Sequence, residues 1–187
     1  MTKREQFLQW LADAHAMEMG IVTSLEKHIV DAKGQSEIKS ALQNHLRQTK
    51  NHAKEIGKAL ESLGGGRPVI KEGVSKLATL AVGLVSTAAG DTAIKNAIAD
   101  FATEHLEIAC YTSLIFTATE LGEKEIAATC KAILKEEKQM AKVLEAQFLG
   151  INAAYLKTLD DDPKKKTVSA SKTPRRATSK KITKSKK

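Results

Sequence analysis

The chain has 187 residues, 42% of them hydrophobic and only 4% aromatic, with a formal net charge of +8. That length supports one sizeable core plus a tail. Three prolines, at positions 68, 163 and 174, and no strand-type alternation make the expected class all-α.

The same features argue against several other classes. "MTKREQFLQW" has no continuous apolar stretch after its charges, so no secretory leader is expected. The longest apolar run, "LATLAVGLVSTAA" at 77–89, is too short and too mixed to span a bilayer. Cys110 and Cys130 both fall inside helical patterns and form no disulfide framework. A reducing cytoplasm is the expected compartment.

Four long helical patterns follow one another. The first covers about residues 2–32, ending near Gly34, and sets Leu8, Leu11, His15, Glu18, Val22, Leu25 and Ile29 at alternating spacings of three and four. His28 falls off that stripe and is expected at the surface. The second runs from near Ser36 to the Gly64-Gly65-Gly66 break, with Ile38, Leu42, His45, Thr49, His52, Ile56, Ala59 and Leu63 in line. Half of its centre is polar. "LGGGRPV" follows a helix rather than a strand, so it reads as a helix stop and not as a phosphate loop.

A connection of about 25 residues comes next, with a short helix expected over residues 74–85. Asp91 can cap a third helix that reaches Leu121, with the stripe Ala97, Phe101, Glu104, Ile108, Tyr111, Ile115 and Ala118. Gly122 makes a tight reversal into the fourth, expected to stop at about Leu149 before Gly150. Its inward residues are Ile126, Cys130, Ile133, Glu137, Met140, Leu144 and Phe148. Two helical hairpins joined by a long crossover describe a four-helix bundle over residues 1–150. Residues 151–187 read as linker and tail.

Each stripe is apolar at its ends and polar near its middle. Glu18 lies 16 residues before Gly34, so antiparallel pairing puts it between Thr49 and His52 in height. Glu137 lies 15 residues after Gly122, level with Glu107 and one turn from Glu104 and Tyr111. Three or four carboxylates and two or more imidazoles then converge in the interior, where an unpaired ionised carboxylate costs roughly several kcal/mol. A pair of divalent or trivalent metal ions compensates them economically, because Glu oxygens bridge ions roughly 3.5–4 Å apart while His nitrogens terminate them. The alternative is a metal-free hydrogen-bond network that fixes register, with Tyr111 and Thr49 as donors. One step of helix rotation would place Glu107, Glu136 or His105 at the boundary or the surface.

"LADAHAMEMG", "QNHLRQTKNHAKEI", "TEHLEIACYTSL" and "LKEEKQMAKVL" together resemble the bacterial ferritin-like stress proteins of the YciE/YciF type, over about residues 5–149. The resemblance implies a ferritin-like bundle with a dinuclear iron or manganese centre, in a family linked to stress responses. Carried over by position, it implies Glu18 as the carboxylate of the first helix, Glu104 or Glu107 as that of the third and Glu137 as the acid of the fourth. His52, or alternatively His45, is then the imidazole of the second.

Two positions depart from the di-iron layout of four Glu and two His. "HLRQTKNH" offers His45, Gln48 and His52 but no acid, and Met140 stands three residues after Glu137. A reduced, mononuclear or altered site is therefore an alternative to a full ferroxidase. His45 and His52 are separated by roughly 10 Å of helical rise, so one ion cannot take both. Tyr111 is the candidate radical or proton donor, and its other reading is a packed aromatic hydrogen-bonded to Glu18 or Glu137.

The positive charge is localised. Of the 30 bases, 11 lie in residues 163–187, which hold no acid, leaving 19 against 22 acids in the first 162. Lys164, Lys165, Lys166, Lys172, Arg175, Arg176, Lys180, Lys181, Lys184, Lys186 and Lys187 form a Ser/Thr-rich basic arm that reads as disordered. Such an arm can displace counterions from DNA or RNA without base readout, since it carries no aromatic residue to stack; an anionic membrane surface is the other partner.

Two functional classes follow. In one, the bundle is a metal-dependent redox protein, a ferroxidase or a peroxide-consuming oxidoreductase, using oxygen or peroxide to limit oxidative damage, with the tail holding it at the nucleoid. In the other, a non-enzymatic scaffold binds nucleic acid through the tail and its polar core is structural. A homodimer suits the mixed outer faces of either.

Overall fold

Helix α1 (Lys3–Asp31) starts on a reciprocal cap, in which the Thr2 hydroxyl accepts from the Glu5 amide at 3.1 Å and the Glu5 carboxylate accepts from the Thr2 amide at 2.7 Å. The computed structural model describes residues 1–32, 35–65 and 91–159 of the chain, and three more helices complete it: α2 (Ser36–Ser62), α3 (Thr92–Glu120) and α4 (Lys124–Leu156). Among the described residues there is no strand, so the all-α expectation holds. The short helix expected at 74–85 and the basic arm lie outside the described residues.

Two glycines with positive φ mark helix ends among the described residues. Gly64 ends α2 with φ of +80°, and Gly122 joins α3 to α4 with φ of +76°, a left-handed conformation that a side chain would strain. The Glu123 amide then donates to the Ala118 carbonyl at 2.8 Å, and Arg4 reaches across to Glu123 at 3.0 Å. Each helix packs on two neighbours: α1 on α2 and α3, and α4 on α3 and α2. No described helix is long and apolar enough to cross a membrane.

Apolar side chains fill both ends of the bundle. Phe7, Leu11, Ile56, Leu60, Leu114, Ala118, Ile126 and Cys130 pack one end, and Leu25, Ile38, Leu42, Ala97, Leu144 and Ile151 the other, all buried. Between them lies a buried layer containing Glu18, His45, Thr49, His52, Glu104, Glu107, Tyr111 and Glu137. The polar mid-height expected from the stripes is therefore present.

Three local expectations are corrected. Helix α4 does not stop before Gly150. A glycine weakens a helix by only about 0.5–1 kcal/mol, and burial of Ile151 favours carrying the helix on to Leu156; the Asn152 side-chain amide donates to the Phe148 carbonyl at 2.8 Å alongside it. Asp91 occupies the N-cap position of α3, but its carboxylate pairs with Lys95 at 3.1 Å and caps no amide.

The third correction concerns helix rotation. The buried stripe of α1 is Phe7, Leu11, Ala14, Met17, Glu18, Ile21, Leu25 and His28, so Leu8, His15, Val22 and Ile29 are only half-buried. His28 is thus not a surface residue: its Nδ1 sits 2.6 Å from Asp100, and the neighbouring Asn96 amide donates to Asp31 at 3.1 Å. Helix α3 is turned in the same way, which brings Asp100, Glu107 and Leu114 inward in place of Phe101, Ile108 and Ile115.

Candidate metal centre

The rotation of α3 decides the composition of the site. Glu104 and Glu107, three residues apart, both point into the core, so the carboxylate of this helix is not one or the other but both. With Glu18 from α1, His45 and His52 from α2 and Glu137 from α4, four acids and two imidazoles meet in the interior, each at most 1% exposed.

These six side chains form two groups. Ligand atoms of His45, Glu104, Glu107 and Glu137 lie within 4.8 Å of one another, and so do those of Glu18, His52 and Glu137. Glu137 belongs to both. The two histidines fall in different groups, as the helical rise between them requires.

The contacts inside are close but poorly shaped for hydrogen bonding. His45 Nε2 lies 3.0 Å from Glu104 and 3.6 Å from Glu137, while His52 Nδ1 lies 2.8 Å from Glu137 and 3.8 Å from Glu18. Even so, both nitrogens of His45, His52 Nδ1, one oxygen each of Glu18 and Glu104, and both oxygens of Glu107 and Glu137 lack a hydrogen-bond partner. These are nine of the eleven such buried side-chain atoms among the described residues.

The donors of a metal-free network are engaged differently from what that alternative needs. Thr49 donates to the His45 carbonyl at 3.0 Å, within its own helix. Tyr111 donates to Glu18, the contact that its reading as a packed aromatic calls for. Buried polar atoms are nearly always satisfied, so a cluster of converging orphans made of carboxylate oxygens and imidazole nitrogens fits a cation. The donor set suits a transition metal of intermediate hardness.

Electrostatics express the same frustration. Burial, then the charge of Glu137, raises the Glu18 pKa to about 8 against the opposing influence of His52 and Tyr111. Burial raises Glu104 to about 7 despite His45, and pushes Glu107 well above the usual carboxylate range with help from Glu137, Glu18 and Glu104. For the imidazoles burial acts downward, but the acids around them prevail. His45 is raised to about 9, chiefly by Glu104, and His52 is raised, chiefly by Glu137. Without a metal the cluster holds protons it would have to release on binding one.

Of the residues singled out in the sequence, Glu18, His45, His52, Glu104, Glu107, Glu137 and Tyr111 come together. His105 does not, being exposed with Nδ1 against the Phe101 carbonyl at 2.9 Å. Glu136 is half-exposed, yet its carboxylate lies 2.9 Å from His52 Nε2. Its adjacency to Glu137 on a helix that must bury Glu137 was the only signal for this contact. Cys130 is a buried free thiol whose pKa burial lifts to about 12, and Cys110 is half-buried and also free.

Comparison with known proteins agrees with the architecture. A family model described as "Domain of unknown function (DUF892)" matches residues 2–183. Among solved structures, a Xanthomonas campestris protein is 28% identical, with a TM-score of 0.72 over 84% of this chain and 98% of that one. YcfI from Rhodopseudomonas palustris is 26% identical, with a TM-score of 0.67 over 78% and 94% of the two chains. The Escherichia coli stress protein YciF is 24% identical, with a TM-score of 0.67 over 82% and 98%, a likeness of fold.

Proposed function

The chain belongs to the DUF892 family and shares its helical-bundle fold with YciF, and from that premise we propose that it is a ferritin-like metal-binding stress protein. Its bundle would hold a dinuclear iron or manganese centre that reacts with oxygen or peroxide, limiting oxidative damage. The observation that carries this reading is the set of nine unpartnered nitrogen and oxygen atoms on six buried side chains, divided into two groups that share Glu137.

In this reading His45, Glu104 and Glu107 would hold one ion, Glu18 and His52 the other, and Glu137 both. Bound in their reduced state, two such ions would supply electrons to the oxidant and be oxidised themselves. The chain's own contribution is to neutralise the metal charge with buried carboxylates, to keep bulk water out with the apolar ends of the bundle, and to hold the Tyr111 hydroxyl hydrogen against Glu18. The Gln48 and Met140 departures from the di-iron layout are offset by Glu104 and Glu107 both entering the core, and this supports two metal positions over one.

The reading also divides the chain into a bundle over residues 1–150 and a linker with a basic arm over 151–187, with α4 running past that boundary to Leu156 and Ile151 still packed on the bundle. The arm, with its eleven bases, would localise the bundle on nucleic acid in a cytoplasmic setting, where consuming peroxide near DNA does most good. A tail-borne scaffolding role is the competing class, and deletion of residues 163–187 separates the two. The metal reading expects metal content to persist, with salt-sensitive DNA retention lost.

The direct test is elemental analysis of protein purified without a metal-binding tag and reloaded anaerobically with Fe²⁺ or Mn²⁺. About two ions per chain, as a bridged pair requires, with loss of binding in Glu18→Ala at its group, is the expected result. No metal on a folded bundle overturns the reading.

A further inference from the structure

Glu136 precedes a core acid in α4 yet stands at the rim, its side chain 42% exposed, with Oε2 2.9 Å from His52 Nε2. A carboxylate accepts, so the ring hydrogen between them belongs to Nε2. That contact fixes the opposite edge of the ring: Nδ1 faces inward, 2.8 Å from Glu137 and 3.8 Å from Glu18, with no aligned hydrogen bond of its own. Nothing in the shape of an imidazole enforces this. A half-turn about the Cβ–Cγ bond leaves the ring in nearly the same volume but exchanges Nδ1 with a carbon, which binds no metal.

We propose that Glu136 is a positioning residue that holds His52 with Nδ1 turned into the Glu18–His52–Glu137 group, so that metal occupancy of this group, and not of the His45 group, depends on it. The inference rests on the metal reading above. It comes from an asymmetry between the two imidazoles. His52 has an outer carboxylate on its far nitrogen, whereas His45 Nδ1 has no hydrogen-bond partner and its Nε2 faces the acids directly. Anchoring the far nitrogen of a ligating His selects its tautomer and orientation, and loss of such an anchor typically weakens metal binding about 10–100-fold.

The test uses the full chain and Co²⁺ alone as probe, titrated anaerobically and followed by visible absorption and elemental analysis. His52→Ala identifies which equivalent belongs to the His52 group. In Glu136→Ala that equivalent should weaken about 10–100-fold while the other keeps its wild-type affinity. Glu136→Gln, whose amide oxygen still accepts from Nε2, should recover most of the loss. Helical circular dichroism and thermal unfolding of each variant establish that the bundle is intact. Wild-type affinity for both equivalents in Glu136→Ala overturns the inference. So does a Glu136→Gln variant as impaired as Glu136→Ala, since the carboxylate would then act through charge or as a ligand. A wild-type chain that takes up no Co²⁺ overturns the metal reading itself, and this inference with it.

Discussion

The two ligand groups share Glu137 but are supported in different ways. Around Glu18 and His52, groups outside the cluster hold the ligands: Tyr111 donates to one oxygen of Glu18, and Glu136 takes the far nitrogen of His52. Around His45, Glu104 and Glu107 no side-chain hydrogen bond from outside the cluster is present among the described residues. Four of these three residues' buried nitrogen and oxygen atoms are among those without hydrogen bonds in addition to His45 Nε2, and Glu107 has none at either oxygen. One group is thus braced by partners behind it and has three side chains; the other has four, which face one another with His45 Nε2 3.0 Å from Glu104. In a bundle, ligand number and ligand orientation can be supplied by different means, and each half of this cluster relies on one of them.

The change that most fully breaks the contrast is at the residue both groups share. Glu137→Ala should abolish binding of both ions, where Glu18→Ala or His45→Ala should each abolish one, with elemental analysis as the readout. If Glu137→Ala retains one ion at wild-type affinity, the carboxylate is not shared.

Glu107 sharpens the comparison from the unsupported side. It is fully buried, unpartnered at both oxygens, and pushed well above the usual carboxylate range by that burial. Glu107→Gln should therefore remove binding in the His45 group while leaving the metal-free protein equally stable or more stable, by about 1 kcal/mol, because folding forces a proton onto an acid that the unfolded chain leaves ionised and a neutral amide carries no such cost. Thermal unfolding of the metal-free variant is the check. A drop in stability would mean that Glu107 has a structural partner that the geometry does not reveal.

How much of this was legible in the sequence depended on how sharply each stripe was defined. Every residue assigned to the stripe of α2 is buried, because its apolar positions alternate with strongly polar ones and allow a single rotation. Helices α1 and α3 have apolar residues on both flanks of the true stripe, as with Leu8 beside Phe7 and Ile108 beside Glu107, so two rotations one residue apart bury similar area. Tertiary contacts decided between them. Asp100 gave His28 a buried partner, and the acids of α3 moved inward together. Glu104 against Glu107 was undecidable for the same reason. The polar layer itself was visible because it recurs at one height on all four helices, whereas the Glu136 contact crosses between α2 and α4 and leaves no periodic trace.

Proton binding gives a further contrast, between the metal-free and loaded states. Folded Glu18 titrates near 8 and Glu104 near 7, against an ordinary value of 4.5, and His45 near 9 against 6.5. Every one of these is raised on folding, so the folded chain binds more protons than the unfolded one between about pH 4.5 and 9. The stability they contribute is present at the acid end of that window and is lost as pH rises through the folded values. The melting temperature of metal-free protein should fall from pH 5 to pH 9, while metal affinity should rise over the same range as protons leave the ligands. A metal-free melting temperature that climbs with pH would contradict the raised values.

The smallest expected effect separates two roles of Tyr111. Its hydroxyl donates to Glu18, and removing it in Tyr111→Phe leaves that buried oxygen without a donor, a loss of about 1–3 kcal/mol if the carboxylate is ionised. Because Tyr111 supports only Glu18, a positioning role predicts that the metal of the Glu18–His52 group weakens by roughly 10-fold, the low end for an outer partner, and that the other ion is unaffected. A role in moving a proton or an electron predicts a different split, in which both ions bind as in wild type and consumption of oxygen or peroxide by the loaded protein slows. Both are measured on one preparation, by Co²⁺ titration and then by oxidant consumption after Fe²⁺ loading. Weakened binding confined to the Glu18–His52 group, with oxidant consumption restored at saturating metal, would make Tyr111 the counterpart of Glu136, each fixing one ligand of the group with fewer ligands.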